Sequence, residues 1–170
     1  MSDFAVAVNA AMRKLAEDER TVFVGQSVRY DGAAIYHSLD GVPMEKRLEF
    51  PVVENLQLGY CTGLSLTGRL PICIFPRMDF MLLAMDQLVN HLDKLPLFGW
   101  TPKVIIRCRV GQKTPLDAGP QHTQNYARAF MTMLHTVRVD EVCTASEVTR
   151  AYERALLWPD STIIVENPIG

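Results

Sequence analysis

The sequence predicts a three-layer α/β/α domain built on a mainly parallel β-sheet. Five short segments rich in β-branched and other apolar residues have the length of buried strands. They alternate with five longer segments whose apolar residues recur at helical spacing. This alternation is typical of parallel strands joined by right-handed crossovers, with helices on both faces of the sheet. With 170 residues, 48% of them hydrophobic, the chain is expected to form a single domain with its own core.

The first part of the chain contains one predicted helix, one predicted strand and a long loop. Apolar residues at helical spacing predict a helix from Asp3 to about Ala16. The β-branched run at residues 21–24 predicts a buried strand that ends at Gly25. Residues 26–47 are polar and contain glycine and proline, so no regular element is predicted there. Long loops of this kind often line sites.

The middle of the chain is predicted to hold two helices on either side of a strand. The first helix begins at Glu54 and is stopped by Gly68, and the strand covers residues 71–75. The second helix runs from Asp79 to about Asp93 and is apolar over more than half of its circumference. That pattern indicates burial on several sides, and a second chain that packs against the helix would bury part of this apolar surface.

The last part of the chain completes the alternation. The predicted elements are a strand at 103–108, a glycine- and proline-containing loop at 111–119, a helix at about 123–134, a strand at 136–139, a helix at 144–157 and a strand at 162–165. Thr144 and Glu147 have the spacing of a capping box, which predicts where the last helix begins. Ligands in such folds bind at the carboxyl ends of the strands, so a site is expected there.

Composition and charge exclude several classes of function. The net charge of −2 and a pI near 6.1 provide no basic surface for nucleic acid or for an anionic membrane. No apolar run reaches membrane-spanning length, and the N-terminal segment lacks a signal-peptide core, so a cytoplasmic protein is expected. The four cysteines lie far apart and lack the spacing of metal ligands, which predicts buried free thiols.

Four residues are candidates for a site, and each also has an ordinary structural interpretation. A carboxylate such as Glu54 at a helix start is usually a capping residue, because free backbone N–H groups and the helix dipole stabilise it. His122 precedes a predicted helix, where a histidine is usually exposed or capping. Phe75 and Phe80 lie on either side of a strand-to-helix turn and would ordinarily be core residues.

Several short motifs together resemble a known family. They are Gly25-Gln26-Ser27-Val28, Tyr30-Asp31-Gly32-Ala33, Pro51-Val52-Val53-Glu54, Arg69-Leu70-Pro71-Ile72, Asp79-Phe80 with Asp86-Gln87, Gln121-His122-Thr123-Gln124 and Val165-Glu166-Asn167. In this order and spacing they resemble the pyrimidine-binding domain of transketolase-like thiamine diphosphate enzymes. The resemblance is closest to the β chain of the 2-oxoacid dehydrogenase first component and covers nearly the whole chain.

The resemblance implies roles for the four candidates. Glu54 matches the glutamate that hydrogen-bonds a ring nitrogen of the cofactor's aminopyrimidine, a task that needs a carboxyl group in a water-poor pocket. His122 matches the histidine that faces the substrate end of the cofactor and handles protons or the reacting carboxylate. An aromatic ring should stack on the aminopyrimidine, with Phe80 as the first candidate and Phe75 as the second.

The resemblance also implies a partner. The cofactor's diphosphate requires Mg2+, and the chain lacks the acidic Gly-Asp-Gly motif that usually holds this ion. A separate α-type, diphosphate-binding subunit is therefore expected to hold Mg2+, with self-association into an α2β2-like heterotetramer. Gly59, Gly63 and the apolar helix at 79–93 are the expected contact surfaces.

The expected reaction is decarboxylation of a 2-oxo acid, or cleavage of a ketose, with acyl or two-carbon transfer. The chain stops at Gly170, where the family's C-terminal domain would begin, so that domain is expected to be absent. Its absence favours a stand-alone lyase, ligase or transketolase-type enzyme over a member of a large dehydrogenase complex.

Departures from the family pattern keep two alternatives open. Gln26 and Ser27 stand where the family usually has acids, and Arg77 and Met78 occupy a turn that usually carries an aromatic residue. One alternative is a non-catalytic homologue that acts as an assembly or regulatory subunit. The other is a flavodoxin-like module that binds a nucleotide or effector. That module would need a glycine-rich phosphate loop after the first strand, and the chain does not supply one there.

Overall fold

The computed structural model describes residues 2–113 and 117–168, and these residues alternate between strand and helix as predicted. The strands are β1 (Thr21–Gly25), β2 (Arg47–Glu49), β3 (Leu70–Phe75), β4 (Ile105–Arg109), β5 (Arg138–Val142) and β6 (Thr162–Glu166). The α-helices are α1 (Asp3–Ala16), α2 (Ala34–Ser38), α3 (Glu54–Leu66), α4 (Ala127–Met133) and α5 (Ala145–Leu157). Residues 114–116 of the predicted loop at 111–119 lie outside the described residues.

All six strands pair in parallel, in the order β2-β1-β3-β4-β6-β5. The strand order reverses between β1 and β3, so the connections leave these two strands toward opposite sides. Such a reversal opens a crevice at the carboxyl ends of the two strands. The residues that follow Gly25 and Phe75 therefore lie where a site is expected.

Helices cover both faces of the sheet, which confirms the three-layer prediction. On one face α1 packs against α5 and α2, over a core that includes Met12, Phe23 and Ile164. On the other face α3, α4 and the 78–92 segment cover a second core. Among the described residues, no helix combines the length and the apolar character needed to cross a membrane.

The 78–92 segment is helical but is not the regular α-helix predicted for 79–93. It consists of a 3₁₀ helix at Met78–Ala84 and a π-helical turn at Gln87–Leu92. The buried residues of the first part, Met78, Met81 and Ala84, recur every three positions, and a 3₁₀ helix places that period on one face. Leu82 and Leu83 are consequently exposed.

A buried ion pair ties β4, β6 and α5 together. Arg107 donates to both carboxylate oxygens of Glu166, through Nε to Oε1 at 2.7 Å and through Nη2 to Oε2 at 3.1 Å. The Tyr152 hydroxyl also donates to Glu166 Oε1, at 2.8 Å, and Arg107 Nη1 donates to Ser38 Oγ at 2.7 Å. The Glu166 carboxylate therefore has its oxygens satisfied inside the domain.

The cysteines are free, as predicted. Cys61, Cys73 and Cys108 are buried, and Cys143 is half-buried. Burial raises the pKa of the Cys61 and Cys108 thiols, which keeps them protonated and unreactive.

Candidate functional site

Glu54 is the first residue of α3 and is only 5% exposed. Its position is set from two sides. The Phe50 N–H donates to the Gly25 carbonyl at 2.9 Å, which holds the approach to α3 beside the end of β1. The Gln57 amide donates to the Ile74 carbonyl at 3.0 Å, which fixes α3 against β3. The carboxylate thus lies at the crevice and away from bulk solvent.

Gln26 is the partner of Glu54. The Gln26 amide Nε2 donates to Glu54 Oε1 at 3.1 Å. The other carboxylate oxygen, Oε2, accepts no hydrogen bond from the residues that the structure describes. A carboxylate with one oxygen held and one free can accept a hydrogen bond from a ligand without rearranging.

The turn that carries Gln26 is held by Glu49. Glu49 accepts the backbone N–H of Ser27 at 2.6 Å and that of Arg29 at 2.8 Å. Ser27 has φ 60°, a left-handed conformation that non-glycine residues adopt rarely and at a cost. The two hydrogen bonds offset this cost. No sequence motif pointed to Glu49. Its position at the end of β2, directly after Leu48, was the one sequence feature that could have indicated a role.

Phe80 and His122 lie together at the mouth of the crevice. Their ring centroids are 5.5 Å apart with the planes at 86°, an edge-to-face contact. Both line a hollow of about 280 Å³, together with Ser27, Arg77 and Arg109. An aromatic ring and an imidazole therefore share one cavity, although 42 positions separate them in the sequence.

The loop that carries His122 rests on Gly111. A Cβ atom on Gly111 would lie 1.8 Å from the His122 carbonyl oxygen, so only glycine permits this approach. The Gln124 N–H donates to Asp79 Oδ1 at 3.3 Å, which links the same loop to the turn that carries Phe80. The close approach to Gly111 and the hydrogen bond to the Asp79 side chain thus fix His122 relative to Phe80.

The four candidate residues fall into three places. Phe80 and His122 share the hollow, whereas Glu54 lies outside its lining and connects to it through Gln26 and the neighbouring Ser27. Phe75 is 1% exposed and belongs to the core under the 78–92 segment, so its ring presents no open face. Among the described residues, no group of three or more His, Cys, Asp or Glu side chains is placed to hold a metal ion.

The sequence is similar to known proteins over nearly its whole length. The family described as transketolase, pyrimidine binding domain, matches residues 2–168. The chain is 26% identical to the mitochondrial pyruvate dehydrogenase E1 component subunit beta of Chaetomium thermophilum, over 96% of this chain and 44% of that protein. It is 28% identical to the pyruvate dehydrogenase E1 component subunit beta of Rhizobium meliloti, over 96% of this chain and 36% of that protein. The chain thus spans less than half of either relative.

The fold is also found among solved structures. A split gene transketolase, solved as an inactive beta4 tetramer, matches with a TM-score of 0.72 at 19% identity. The match covers 96% of this chain and 50% of that one. At this identity the similarity concerns the fold alone, and it confirms the three-layer parallel architecture.

Proposed function

Because this chain belongs to the transketolase pyrimidine-binding domain family, we propose that it is the pyrimidine-binding subunit of a thiamine diphosphate-dependent enzyme. The enzyme would act on a 2-oxo acid or a ketose, by decarboxylation and acyl or two-carbon transfer. One observation carries the proposal above the others. Glu54 is a nearly buried carboxylate with a free oxygen, and Gln26 links it to the turn that borders the hollow of Phe80 and His122.

The residues present suit the aminopyrimidine half of this cofactor. Glu54 Oε2 is free to bond a ring nitrogen, while Gln26 holds the other oxygen in place. Phe80 faces the hollow and offers a ring on which a flat heterocycle can stack, and Phe75 does not. When bound, thiamine diphosphate supplies a carbon nucleophile that attacks the substrate carbonyl and stabilises the negative charge left after cleavage.

Glu54 would exchange a proton with the ring nitrogen. Its low exposure limits contact with water, which strengthens an ionic hydrogen bond between the two groups. The neutral Gln26 amide adds no second negative charge beside Glu54. The carboxylate network that acids at this turn would form is replaced by a single amide-to-carboxylate hydrogen bond.

His122 would act at the substrate. Its imidazole is in edge-to-face contact with the Phe80 ring, with the centroids 5.5 Å apart, so a substrate held beside the hollow would come within its reach. An imidazole carries ring nitrogens that can both donate and accept a proton. Gly111 and Asp79 would serve as positioning residues, since they fix the loop of His122 and do not line the hollow.

A second polypeptide would complete the site. An α-type subunit would bind the cofactor's diphosphate and hold Mg2+, and the two chains would assemble into an α2β2-like heterotetramer. The outer face of α3 supports this proposal, because Leu56, Tyr60 and Gly63 are exposed on the helix that begins with Glu54. Leu82 and Leu83 are also exposed, on the 3₁₀ helix that packs against α3. Exposed apolar area next to a site commonly marks a protein interface.

We also propose a cytoplasmic location. The relative from Chaetomium thermophilum is a mitochondrial subunit, whereas the relative from Rhizobium meliloti is bacterial. Fractionation of the source cells, with immunodetection of the endogenous protein, tests this point directly.

The proposal is tested by reconstitution. The chain is co-expressed with the diphosphate-binding subunit encoded nearby, and thiamine diphosphate affinity and 2-oxo acid decarboxylation are measured for the wild type and Glu54→Gln. We expect turnover to fall about 100-fold or more in Glu54→Gln, with the particle mass unchanged, because the amide cannot exchange the proton. Glu153→Gln on the exposed face of α5 is the matched control. Equal turnover in wild type and Glu54→Gln would contradict the proposal.

The main alternative is a non-catalytic homologue that acts as an assembly or regulatory subunit. The replacement of family acids by Gln26 and Ser27, and Arg77 in the turn after β3, favour it. Such a subunit would join the particle without altering cofactor affinity. The same mass and affinity measurements therefore separate the two functions.

A further inference from the structure

The hollow beside Phe80 and His122 has an excess of positive charge. Among the described residues, its lining includes Arg77, Arg107 and Arg109 but no aspartate or glutamate. A guanidinium group stays charged at any physiological pH, and a half-buried one is ordinarily paired with a carboxylate. Arg107 follows this rule, because its ion pair with Glu166 lies inside the domain.

Arg109 has no such partner among the residues that the structure describes. It pairs in register with Glu166 across β4 and β6, but Arg107 and Tyr152 already occupy the Glu166 carboxylate. The Arg109 Nε is buried, and no acceptor for it lies within residues 2–113 and 117–168. Burial lowers the pKa of Arg109, Glu166 opposes this effect, and the neighbouring Arg77 lowers the pKa further. A buried donor without an acceptor is costly, so an acceptor from outside the described chain is expected.

Arg77 brings a second guanidinium to the same hollow. It lies in the turn between β3 and the 3₁₀ helix of Phe80, so its side chain and the Phe80 ring open onto one cavity. Arg77 and Arg109 therefore line the same cavity.

We propose that Arg77 and Arg109 bind a non-reacting anionic group of the substrate, either a carboxylate or a phosphate monoester. The inference rests on the proposed function, because it places the substrate beside Phe80 and His122. Guanidinium groups bind both kinds of oxyanion through paired N–H donors. The cavity of about 280 Å³ has room for a small substrate tail.

The carboxylate that a decarboxylation removes is a poor candidate for this pair. A strong ionic contact to that group stabilises the ground state, and the contact is lost as the group becomes neutral carbon dioxide. An anionic group at the far end of the substrate keeps its charge throughout the reaction. Binding it therefore positions the reacting carbonyl without raising the barrier.

Matched probe pairs test the proposal by equilibrium binding to the full chain reconstituted with the diphosphate-binding subunit and thiamine diphosphate. One pair is 2-oxoglutarate and 2-oxopentanoate, which differ by the distal carboxylate. The other pair is xylulose 5-phosphate and xylulose, which differ by the phosphate. We expect the charged member of one pair to bind about tenfold or more tightly than its analogue, as one ionic hydrogen bond predicts. The pair that shows the preference identifies the anion as a carboxylate or a phosphate.

Variants assign the preference to the arginines. Arg77→Gln should abolish it, Arg77→Lys should keep part of it, and Arg150→Gln on the exposed face of α5 should leave it intact. No preference in either pair, or an equal preference in wild type and Arg77→Gln, would overturn the proposal. If Arg77→Gln instead lowers the mass of the reconstituted particle and leaves the preference unchanged, the arginine pairs with the partner subunit. That result also overturns it.

Thiamine diphosphate affinity is measured in the same preparations as a separate readout. Suppose that Glu54→Gln changes the thiamine diphosphate affinity but Arg77→Gln leaves the anion preference unchanged. That result would overturn the substrate inference alone. If Glu54→Gln leaves the thiamine diphosphate affinity unchanged, the proposed function is overturned instead.

Discussion

At the scale of single residues, Gly111 determines where His122 can lie. We predict that Gly111→Ala destabilises the domain by about 1–3 kcal/mol, the usual cost of overpacking. If His122 has the proposed role at the substrate, the variant should also lower turnover of the reconstituted complex by about tenfold or more, because a small displacement of a catalytic group is costly. Urea denaturation and steady-state kinetics measure the two effects.

Gly63→Ala provides the comparison. A Cβ on Gly63 would meet no atom within 4 Å, and the residue is exposed in α3. Alanine there should stabilise the isolated chain by about 0.5–1 kcal/mol, since it favours the helix. If Gly111→Ala and Gly63→Ala changed the free energy of unfolding of the isolated chain equally, the close contact between Gly111 and His122 would not be required for stability.

At the scale of elements, Asp93 determines where β5 begins. Its carboxylate accepts the backbone N–H groups of His135, Thr136 and Val137, so these residues do not join the sheet. The strand predicted at 136–139 therefore begins two residues later, at Arg138. A side-chain acceptor 42 positions away is invisible to sequence periodicity.

We predict that Asp93→Asn lowers the free energy of unfolding by about 2 kcal/mol or more at neutral pH, because an amide replaces an acceptor of several hydrogen bonds. Burial alone would raise the pKa of Asp93, but these N–H groups hold it below its ordinary value of 3.8. The stabilisation is thus complete above about pH 4 and is lost as the pH falls further. Urea titrations at several pH values measure it. Asp160→Asn, in an exposed pair with Arg138, should cost less than about 1 kcal/mol.

Local signals predicted much of the fold. The capping box of Thr144 and Glu147 is present, and α1, α3, β1 and β6 lie within one or two residues of their predicted bounds. The short elements α2 and β2 were missed, because a five-residue helix and a three-residue strand carry little periodic signal. The 78–92 segment departed from the α-helix because tertiary burial selected a period of three.

Only part of the candidate site could be predicted from the sequence. Order and spacing of motifs singled out Glu54 and His122, but Phe75 and Phe80 flank the same turn and differ only in burial. The contact of Gln26 with Glu54, and the approach of Arg77 and Arg109 to one hollow, join distant positions through the sheet topology. Without the strand order, such contacts cannot be predicted.

At the scale of the whole molecule, the outer face of α3 exposes apolar side chains on the helix that begins with Glu54. We predict that Gly63→Leu leaves the isolated chain folded, because no atom lies within 4 Å of the added Cβ. It should weaken association with the diphosphate-binding subunit about tenfold or more, if that subunit packs closely against the helix. Circular dichroism measures folding, and analytical ultracentrifugation of the mixed subunits measures association.

A matched substitution on the opposite layer controls for side-chain size. Ser146→Leu lies at an exposed position of α5, on the face of the sheet away from α3. It should leave association unchanged. Equal association of the Gly63→Leu and wild-type chains would show that α3 is not the contact surface.

The most direct test of the proposed function is an experimental structure of the reconstituted complex with thiamine diphosphate. We predict that Glu54 Oε2 lies within about 3.2 Å of a ring nitrogen of the aminopyrimidine, with that ring stacked on Phe80 and the Gln26 contact retained. A complex in which the pyrimidine binds elsewhere, with Glu54 bonded only to Gln26, would contradict the assignment.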